Sequence, residues 1–134
     1  MLDKKLLQKA IEARKFSYAP YSGFHVGAAL LGKSGKIYTG CNVENAAYTP
    51  TNCAERTALF KAVSEGERDF VAIAVVGGKG ENLSDDCTPC GVCRQVLAEF
   101  CDKDFRIITG TLENIKVNTL SELLPYSFGK GNLD

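Results

Sequence analysis

The sequence lacks a surplus of either charge. Sixteen lysines and arginines balance sixteen aspartates and glutamates, so the formal net charge is zero. A protein that binds a nucleic-acid duplex normally shows a basic face or stripe. The balance therefore argues against a nucleic-acid partner, although it is compatible with a small basic patch.

Long apolar segments are also missing. No stretch approaches the roughly 18 consecutive apolar residues that a membrane span needs, and the opening MLDKKLLQK carries charges where a signal peptide has an apolar core. We therefore expect no membrane association and a cytoplasmic location. In a reducing cytosol the six cysteines are more often metal ligands, nucleophiles or small buried residues than disulfides. In a secreted chain, three disulfides would be the alternative.

Internal repeats and long linkers are absent too, so we predict one domain over residues 1–134. Segment 70–76 is apolar without alternation, which is typical of a central strand buried on both faces. Residues 119–122 match a capping box that would open a short last helix. The remaining patterns predict helices at 3–17, 53–64 and 91–101 and strands at 24–31, 36–43, 105–109 and 115–117. This order predicts a three-layer α/β/α sandwich with a mixed five-stranded sheet, in which parallel strands extend an antiparallel hairpin.

Three cysteines stand at the beginnings of predicted helices. Cys90 and Cys93 form a Cys-x-x-Cys pair at one helix start, and Cys53 stands at another. Free backbone N–H groups and the helix dipole stabilise thiolates there. Three thiolates leave tetrahedral zinc one open position, which is the catalytic arrangement. We predict one zinc ion per chain, and we interpret His25, the only histidine, as structural.

The other cysteines test this ligand set. Cys41 lies in a predicted strand and Cys101 ends a predicted helix, so both suit the core. Cys87 is ambiguous, because it forms a second Cys-x-x-Cys with Cys90. Pro89 favours a helix that begins at Cys90, since proline suits the first turn. We interpret Cys87 as a free thiol, with a ligand role as the open alternative.

Glu55 follows Cys53 by two residues. Zinc with an open position lowers the pKa of bound water toward roughly 7, and a neighbouring carboxylate can then carry its proton. Capping of its own helix is the alternative role for Glu55. Zinc with three thiolates carries a net negative charge, which a hydrogen-bonding cation would reduce. Arg56 is the favoured cation and Arg94 the weaker candidate.

Two segments match a known signature. Cys53-Ala-Glu55 and Pro89-Cys-Gly-Val-Cys93 form the all-cysteine version of the zinc deaminase motif. The chain resembles the small cytidine deaminases with three cysteine ligands from about Leu6 to Phe128. The blocks that carry the resemblance are YSGFHVGAA (21–29), GCNVENAAY (40–48), CAERTA (53–58) and PCGVCRQV (89–96).

The resemblance implies a reaction. Cytidine and 2′-deoxycytidine would lose the 4-amino group to give uridine and 2′-deoxyuridine, with release of ammonia. Zinc-bound hydroxide would attack C4 while Glu55 moves protons to N3 and to the departing amine. Zinc would be the only cofactor.

The resemblance also implies how a nucleoside would bind. Asn42 and Glu44 would hold the ribose 3′-hydroxyl. The residues support this independently, because positions i and i+2 at a strand end point to one side, and an amide and a carboxylate suit a hydroxyl group. A solvated strand edge is the alternative. Phe24 would pack on the pyrimidine, and backbone groups around Ala54 would read its edge.

A homotetramer is implied as well. Tyr48 and Phe128 would approach the active site of a neighbouring subunit and complete it. Taken alone, Phe128 is equally compatible with a tail anchored on its own domain.

Three other functions remain open. A blasticidin-type deaminase shares the Cys-Ala-Glu and Pro-Cys-Gly-x-Cys-Arg-Gln motifs, but the block 42–48 favours the nucleoside enzyme. A polynucleotide-editing deaminase is disfavoured, because the chain has no basic surplus. A non-catalytic module with structural zinc would need a fourth protein ligand.

Overall fold

Five strands form one sheet with helices on both faces in the computed structural model, which describes residues 2–134. The elements in chain order are α1 (Leu2–Arg14), β1 (Phe24–Gly32), β2 (Ile37–Cys41), α2 (Ala54–Ser64), β3 (Phe70–Lys79), α3 (Gly91–Phe100), β4 (Arg106–Thr111), β5 (Asn114–Thr119), α4 (Leu120–Leu123) and a 3₁₀ turn (Lys130–Leu133). The strand order in the sheet is β2-β1-β3-β4-β5.

The sheet is mixed, as predicted. Strand β1 pairs antiparallel with both β2 and β3, so β2 and β3 run in the same direction on either side of it. Strands β3 and β4 pair parallel, since α3 supplies the crossover between them. The expected extension by parallel strands is wrong for β5, which pairs antiparallel with β4. Only residues 112–113 separate these two strands, and so short a connection closes a hairpin.

Two apolar layers cover the sheet. On one face, Leu6, Leu7 and Ala10 of α1 pack on β1, β3 and β4. On the other face, α2, α3 and α4 cover the opposite side chains of the same strands. Strand β3 contributes alternate side chains to both layers, with Ala72, Ala74 and Val76 toward α1 and Ile73 and Val75 toward α2 and α3. The prediction of a central strand buried on both faces is confirmed.

The capping box predicted at 119–122 is confirmed, whereas the alternative role of Glu55 as a helix cap is not observed. Thr119 accepts a hydrogen bond from the Glu122 backbone, and the Glu122 carboxylate accepts one from the Thr119 backbone, as expected for α4. Helix α2 begins after Cys53, which makes no side-chain capping bond. Glu55 is therefore not engaged as a cap. Among residues 2–134, no helix is both long and apolar enough to cross a membrane.

Candidate active site and metal centre

Three sulfur atoms meet where two helices begin. Cys53 is the residue before α2, Cys90 is the residue before α3, and Cys93 lies in the first turn of α3. Their Sγ atoms all lie within 4.8 Å of one another. Within residues 2–134, no other group of three histidine, cysteine or acidic side chains converges in this way. The structure thus brings together the three predicted ligands.

The sulfur spacing fits zinc. The Sγ atoms of Cys53 and Cys90 are 3.8 Å apart, and two tetrahedral ligands with Zn–S bonds of about 2.3 Å would be about 3.8 Å apart. The bond from Cys93, followed by those from Arg56 and Cys90, lowers the pKa of the Cys53 thiol to about 5 against the opposing effect of burial. The same bond to Cys53, together with burial, raises the pKa of Cys93. Three sulfurs this close can all be thiolates only with a cation among them, which is what a zinc ion supplies.

Glu55 lies in the first turn of α2 beside these sulfurs. Its side chain is only 5% exposed. Burial raises the pKa of the Glu55 carboxyl to about 7, and the nearby negative charge of Cys53 adds to the shift. A buried carboxyl with a pKa near neutrality is suited to proton transfer.

The two arginines differ in what they touch. The Arg56 Nη2 atom donates to the Cys53 Sγ at 3.3 Å, as expected for a cation that balances thiolate charge. Its Nε is buried and has no hydrogen-bond partner within residues 2–134. Arg94 does not reach the sulfurs. Its guanidinium donates to the carbonyls of Pro89 and Leu123, each at 2.7 Å, and thereby fastens the segment before α3 to the end of α4.

The remaining cysteines lie outside the sulfur cluster. Cys87 packs against the end of β3, where a Cβ added to Gly77 would lie 2.6 Å from its Sγ. Burial raises the pKa of Cys87 to about 12, so it is a neutral thiol. Cys41 and Cys101 are half-buried, and burial raises the pKa of each thiol. All six cysteines are free of disulfides.

Asn42 lies just beyond the end of β2 and is 8% exposed. Its Oδ1 accepts from the Val26 backbone N–H at 2.9 Å and from the Ser17 hydroxyl at 2.5 Å. Its Nδ2 donates to the Phe24 carbonyl at 2.9 Å. The amide is therefore anchored to the start of β1, and Phe24 is anchored with it.

Glu44 is held by the turn that precedes β1. One carboxylate oxygen accepts from the backbone N–H groups of Tyr21 and Ser22 at 2.9 and 3.1 Å, and the other accepts from the Ser22 hydroxyl. The Ser22 bond is the main reason why the pKa of Glu44 lies below its ordinary value. The hydrogen bonds from Ser22 to Glu44 are not predicted from the sequence. The available signal is that Ser22 stands two residues before Phe24, the ring predicted to pack on the base.

The remaining residues predicted to contact the substrate are Phe24, Ala54, Tyr48 and Phe128. Phe24 begins β1 half-buried, with its ring 2.9 Å from where a Gly77 Cβ would be. Ala54 begins α2 and is fully buried. Tyr48 is 72% exposed with a φ of 63°, and its ring meets Tyr21 edge-on at 6.3 Å.

Phe128 is 59% exposed, and its carbonyl accepts a hydrogen bond from Gln95 Nε2 at 2.8 Å. A cavity of about 380 Å³ lies beside Glu44 and Tyr48. A larger one, of about 1200 Å³, lies beside the C-terminal segment, away from the three sulfurs, and no predicted site residue lines it. The smaller cavity is lined by two of the predicted substrate-binding residues, Glu44 and Tyr48, and by none of the three cysteine ligands.

Comparison with known proteins supplies the deciding observation. Residues 1–109 match the family model described as the cytidine and deoxycytidylate deaminase zinc-binding region. The chain belongs to this family. Within the family, the three-cysteine cluster is the part of this chain positioned to hold zinc.

Named relatives cover nearly the whole chain. A cytidine deaminase of Halalkalibacterium halodurans is 55% identical over 92% of this chain and 91% of that protein. One from Sporosarcina psychrophila is 50% identical over 97% of this chain and 93% of that protein. The crystal structure of cytidine deaminase from Burkholderia pseudomallei superposes with a TM-score of 0.85 at 45% identity, covering 92% of this chain and 97% of that one. The predicted family and fold are confirmed.

Proposed function

We propose that this protein is a zinc-dependent cytidine deaminase, organised as one catalytic domain over residues 1–134. It converts cytidine and 2′-deoxycytidine, with water, to uridine and 2′-deoxyuridine and ammonia. One observation carries the proposal: a buried carboxyl, Glu55, lies beside three converging sulfur ligands. Cytidine deaminases with 50–55% identity support it over a blasticidin-type deaminase and over a structural-zinc module.

Glu55 is the proton carrier. When bound by Cys53, Cys90 and Cys93, zinc supplies a Lewis acid that makes water nucleophilic at neutral pH. Glu55 takes one proton from the attacking water and delivers it to N3 of the pyrimidine. It then takes the second proton from the hydroxyl group now on C4 and passes it to the departing amine, which leaves as ammonia. The pKa of about 7 that burial gives this carboxyl suits both uptake and release of a proton.

Arg56 balances the charge of the site. Three thiolates and one divalent cation sum to a net negative charge, which opposes the removal of a proton from water at the metal. The bond from Arg56 to the Cys53 sulfur withdraws part of that charge. The buried N–H group at Arg56 Nε has no partner within residues 2–134, so it can donate a further hydrogen bond in the assembled site.

The sugar and base are held at the start of β1. Glu44 and Asn42 bind the ribose 3′-hydroxyl, Phe24 packs on the pyrimidine, and backbone groups around Ala54 read its edge. Support comes from the anchoring of both polar side chains to the segment 21–26, which fixes them before the substrate arrives. Fixed groups bind with a lower entropic cost.

The active form is a cytoplasmic homotetramer, in which Tyr48 and Phe128 complete the site of a neighbouring subunit. Their exposure of 72% and 59% leaves both rings uncovered by their own chain, and exposed aromatic groups are common at interfaces. The six free thiols favour a reducing compartment. Sedimentation tests the assembly, and a fully active monomer would contradict the roles of Tyr48 and Phe128.

The substitution Glu55→Gln tests the function. The expected variant folds, binds one zinc per chain, and loses at least about 100-fold in the rate of cytidine deamination, because general acid–base catalysis contributes that much or more. Turnover is followed by the ultraviolet change of the pyrimidine, and zinc by elemental analysis. Glu113→Gln, in the exposed β4–β5 turn, is the matched control and should keep the wild-type rate. A Glu55→Gln enzyme with the wild-type rate contradicts the mechanism.

A further inference from the structure

Ser17 and His25 form a short relay behind Asn42. The Ser17 hydroxyl lies 2.5 Å from Asn42 Oδ1, and His25 Nδ1 lies 3.0 Å from the same hydroxyl. Ser17 follows α1, whereas His25 belongs to β1, so the relay joins two elements at the proposed sugar end. All three side chains are buried or half-buried.

The backbone fixes which way the Asn42 amide faces. The Val26 N–H can only donate, so the atom 2.9 Å from it must be the amide oxygen. The Phe24 carbonyl can only accept, so the atom 2.9 Å from it must be the amide nitrogen. These two backbone groups therefore fix the orientation of the amide.

The direction of the relay follows from this orientation. Because Asn42 Oδ1 is an acceptor, Ser17 must give it the single hydroxyl hydrogen. The Ser17 oxygen then accepts from His25, so the His25 proton is on Nδ1. Hydrogen bonds run from His25 to Ser17 to Asn42. A histidine with a proton on Nδ1 donates this bond in either its neutral or its charged form.

The relay occupies every acceptor site of Asn42 and leaves one donor. Its Oδ1 has two lone pairs, and both are taken, one by Val26 and one by Ser17. Of the two Nδ2 hydrogens, one goes to Phe24. The other Nδ2 hydrogen has no partner within residues 2–134, and it is the group through which the Asn42 amide can meet a ligand, as a donor.

We infer that Ser17 and His25 are positioning residues that make the enzyme selective for a sugar 3′-hydroxyl. The inference rests on the proposed function, in which Asn42 and Glu44 bind that hydroxyl. With Asn42 restricted to donating and the Glu44 carboxylate restricted to accepting, the pair matches a group that accepts one hydrogen bond and donates another. A hydroxyl is such a group, and a sugar without it leaves both partners unsatisfied.

Substrates with and without the 3′-hydroxyl test the inference. For Ser17→Ala we expect KM for cytidine to rise about fivefold with kcat nearly unchanged. Asn42 keeps its two backbone hydrogen bonds but loses the third bond that holds its side chain in place, so a smaller fraction of the enzyme presents the amide to the sugar. For 3′-deoxycytidine, the same variant should match the wild-type KM within about twofold, since the substrate lacks the contact. Ser17→Thr keeps the hydroxyl and should restore cytidine binding. His25→Ala should behave like Ser17→Ala.

Ser34→Ala is the matched control. It also removes a serine bond to a side chain, that of Glu67, but at the far β1–β2 turn, and it should leave both KM values unchanged. Equal losses of Ser17→Ala on both substrates, or no loss on either, would overturn the inference while leaving the deaminase function intact. If Ser17→Ala melts well below Ser34→Ala, His25→Ala, which keeps the serine, decides by the same comparison. A wild-type enzyme inactive on both substrates would refute the proposed function, and the inference with it.

Discussion

A single methyl group added at Gly40 should move Cys53 and Glu55 away from Cys90 and Cys93. Gly40 lies in β2, directly beneath the first two turns of α2. A Cβ there would lie 2.5 Å from the Ala58 nitrogen and 2.6 Å from the Ala54 carbonyl oxygen. Both are backbone atoms, so no side chain can turn aside. In Gly40→Ala the helix itself must move away from the sheet.

The size of that movement can be worked out. Ordinary contact begins at 3.4 Å, so the start of α2 must shift by about 0.9 Å. Cys53 and Glu55 move with α2, whereas Cys90 and Cys93 stay with α3. Overpacking of this kind costs about 1–3 kcal/mol of folding free energy, and a misplacement of about 1 Å at a reacting centre costs about 100-fold in rate.

Three measurements check this prediction. We expect the Gly40→Ala melting temperature to fall by roughly 4–12 °C, zinc affinity by chelator competition to weaken, and kcat to drop by about 100-fold. Gly131→Ala is the control, because a Cβ there meets nothing within 4 Å. If Gly40→Ala matched this control in melting, zinc affinity and rate, the close contact between β2 and α2 would be refuted as the support of the site.

Three further predictions concern charge and assembly. Arg56→Gln should weaken zinc binding about 10- to 100-fold in a chelator competition; unchanged affinity would remove Arg56 from charge balance. The hydrogen bond from Arg106 lowers the pKa of Asp3. Their ion pair contributes at most about 1 kcal/mol, because both side chains are partly exposed. It stabilises the fold at neutral pH, and this contribution is lost as the pH falls below roughly 4. In urea unfolding, the free energy of unfolding of Asp3→Asn should therefore be lower than that of the wild type at pH 7, and the difference should shrink as the pH falls below the ordinary pKa of an aspartate. A difference of equal size at neutral and acidic pH would contradict the assignment. Phe128→Ala should lose activity with its zinc retained, and mixing it with Glu55→Gln subunits should restore activity if the proposed assembly forms. The absence of complementation would place Phe128 in the site of its own subunit.

Most of the fold was predictable from periodicity. The apolar run 70–76 predicts a strand that is buried on both faces, and the amphipathic helices predict which of their faces pack against the sheet. Together these patterns predict the three layers. Strand directions were harder. The antiparallel course of β5 follows from the two-residue connection 112–113. Even the five residues between the predicted strands 105–109 and 115–117 are too few for a parallel crossover, so the length of the connection is the sequence signal for the direction of β5.

The metal site was predictable because its ligands are local signals. A cysteine at a helix start can be read from one short segment, and two such segments sufficed. The relay of Ser17, His25 and Asn42 could not be read in this way. Its members lie 8 and 25 residues from Ser17 along the chain, and only the placement of the end of α1 against β1 brings them together. For the same reason, the bonds that hold Glu44 to Ser22 were missed.

The strand order explains why such distant segments share one site. Strands β2 and β3 run in the same direction with β1 between them, so the ends of β2 and β3 and the start of β1 lie at one edge of the sheet. Asn42 follows β2 and Phe24 begins β1 at that edge. Helices α2 and α3 leave from it as well, and they bring Cys53 and Cys90 with them. Ligands of α/β sheets bind at the carboxyl ends of parallel strands for this geometric reason. Because the antiparallel strand β1 lies between the parallel strands β2 and β3, its first residues lie at the same edge. These first residues supply the Phe24 ring, which is proposed to pack on the base, and the backbone groups of Phe24 and Val26, which orient the Asn42 amide.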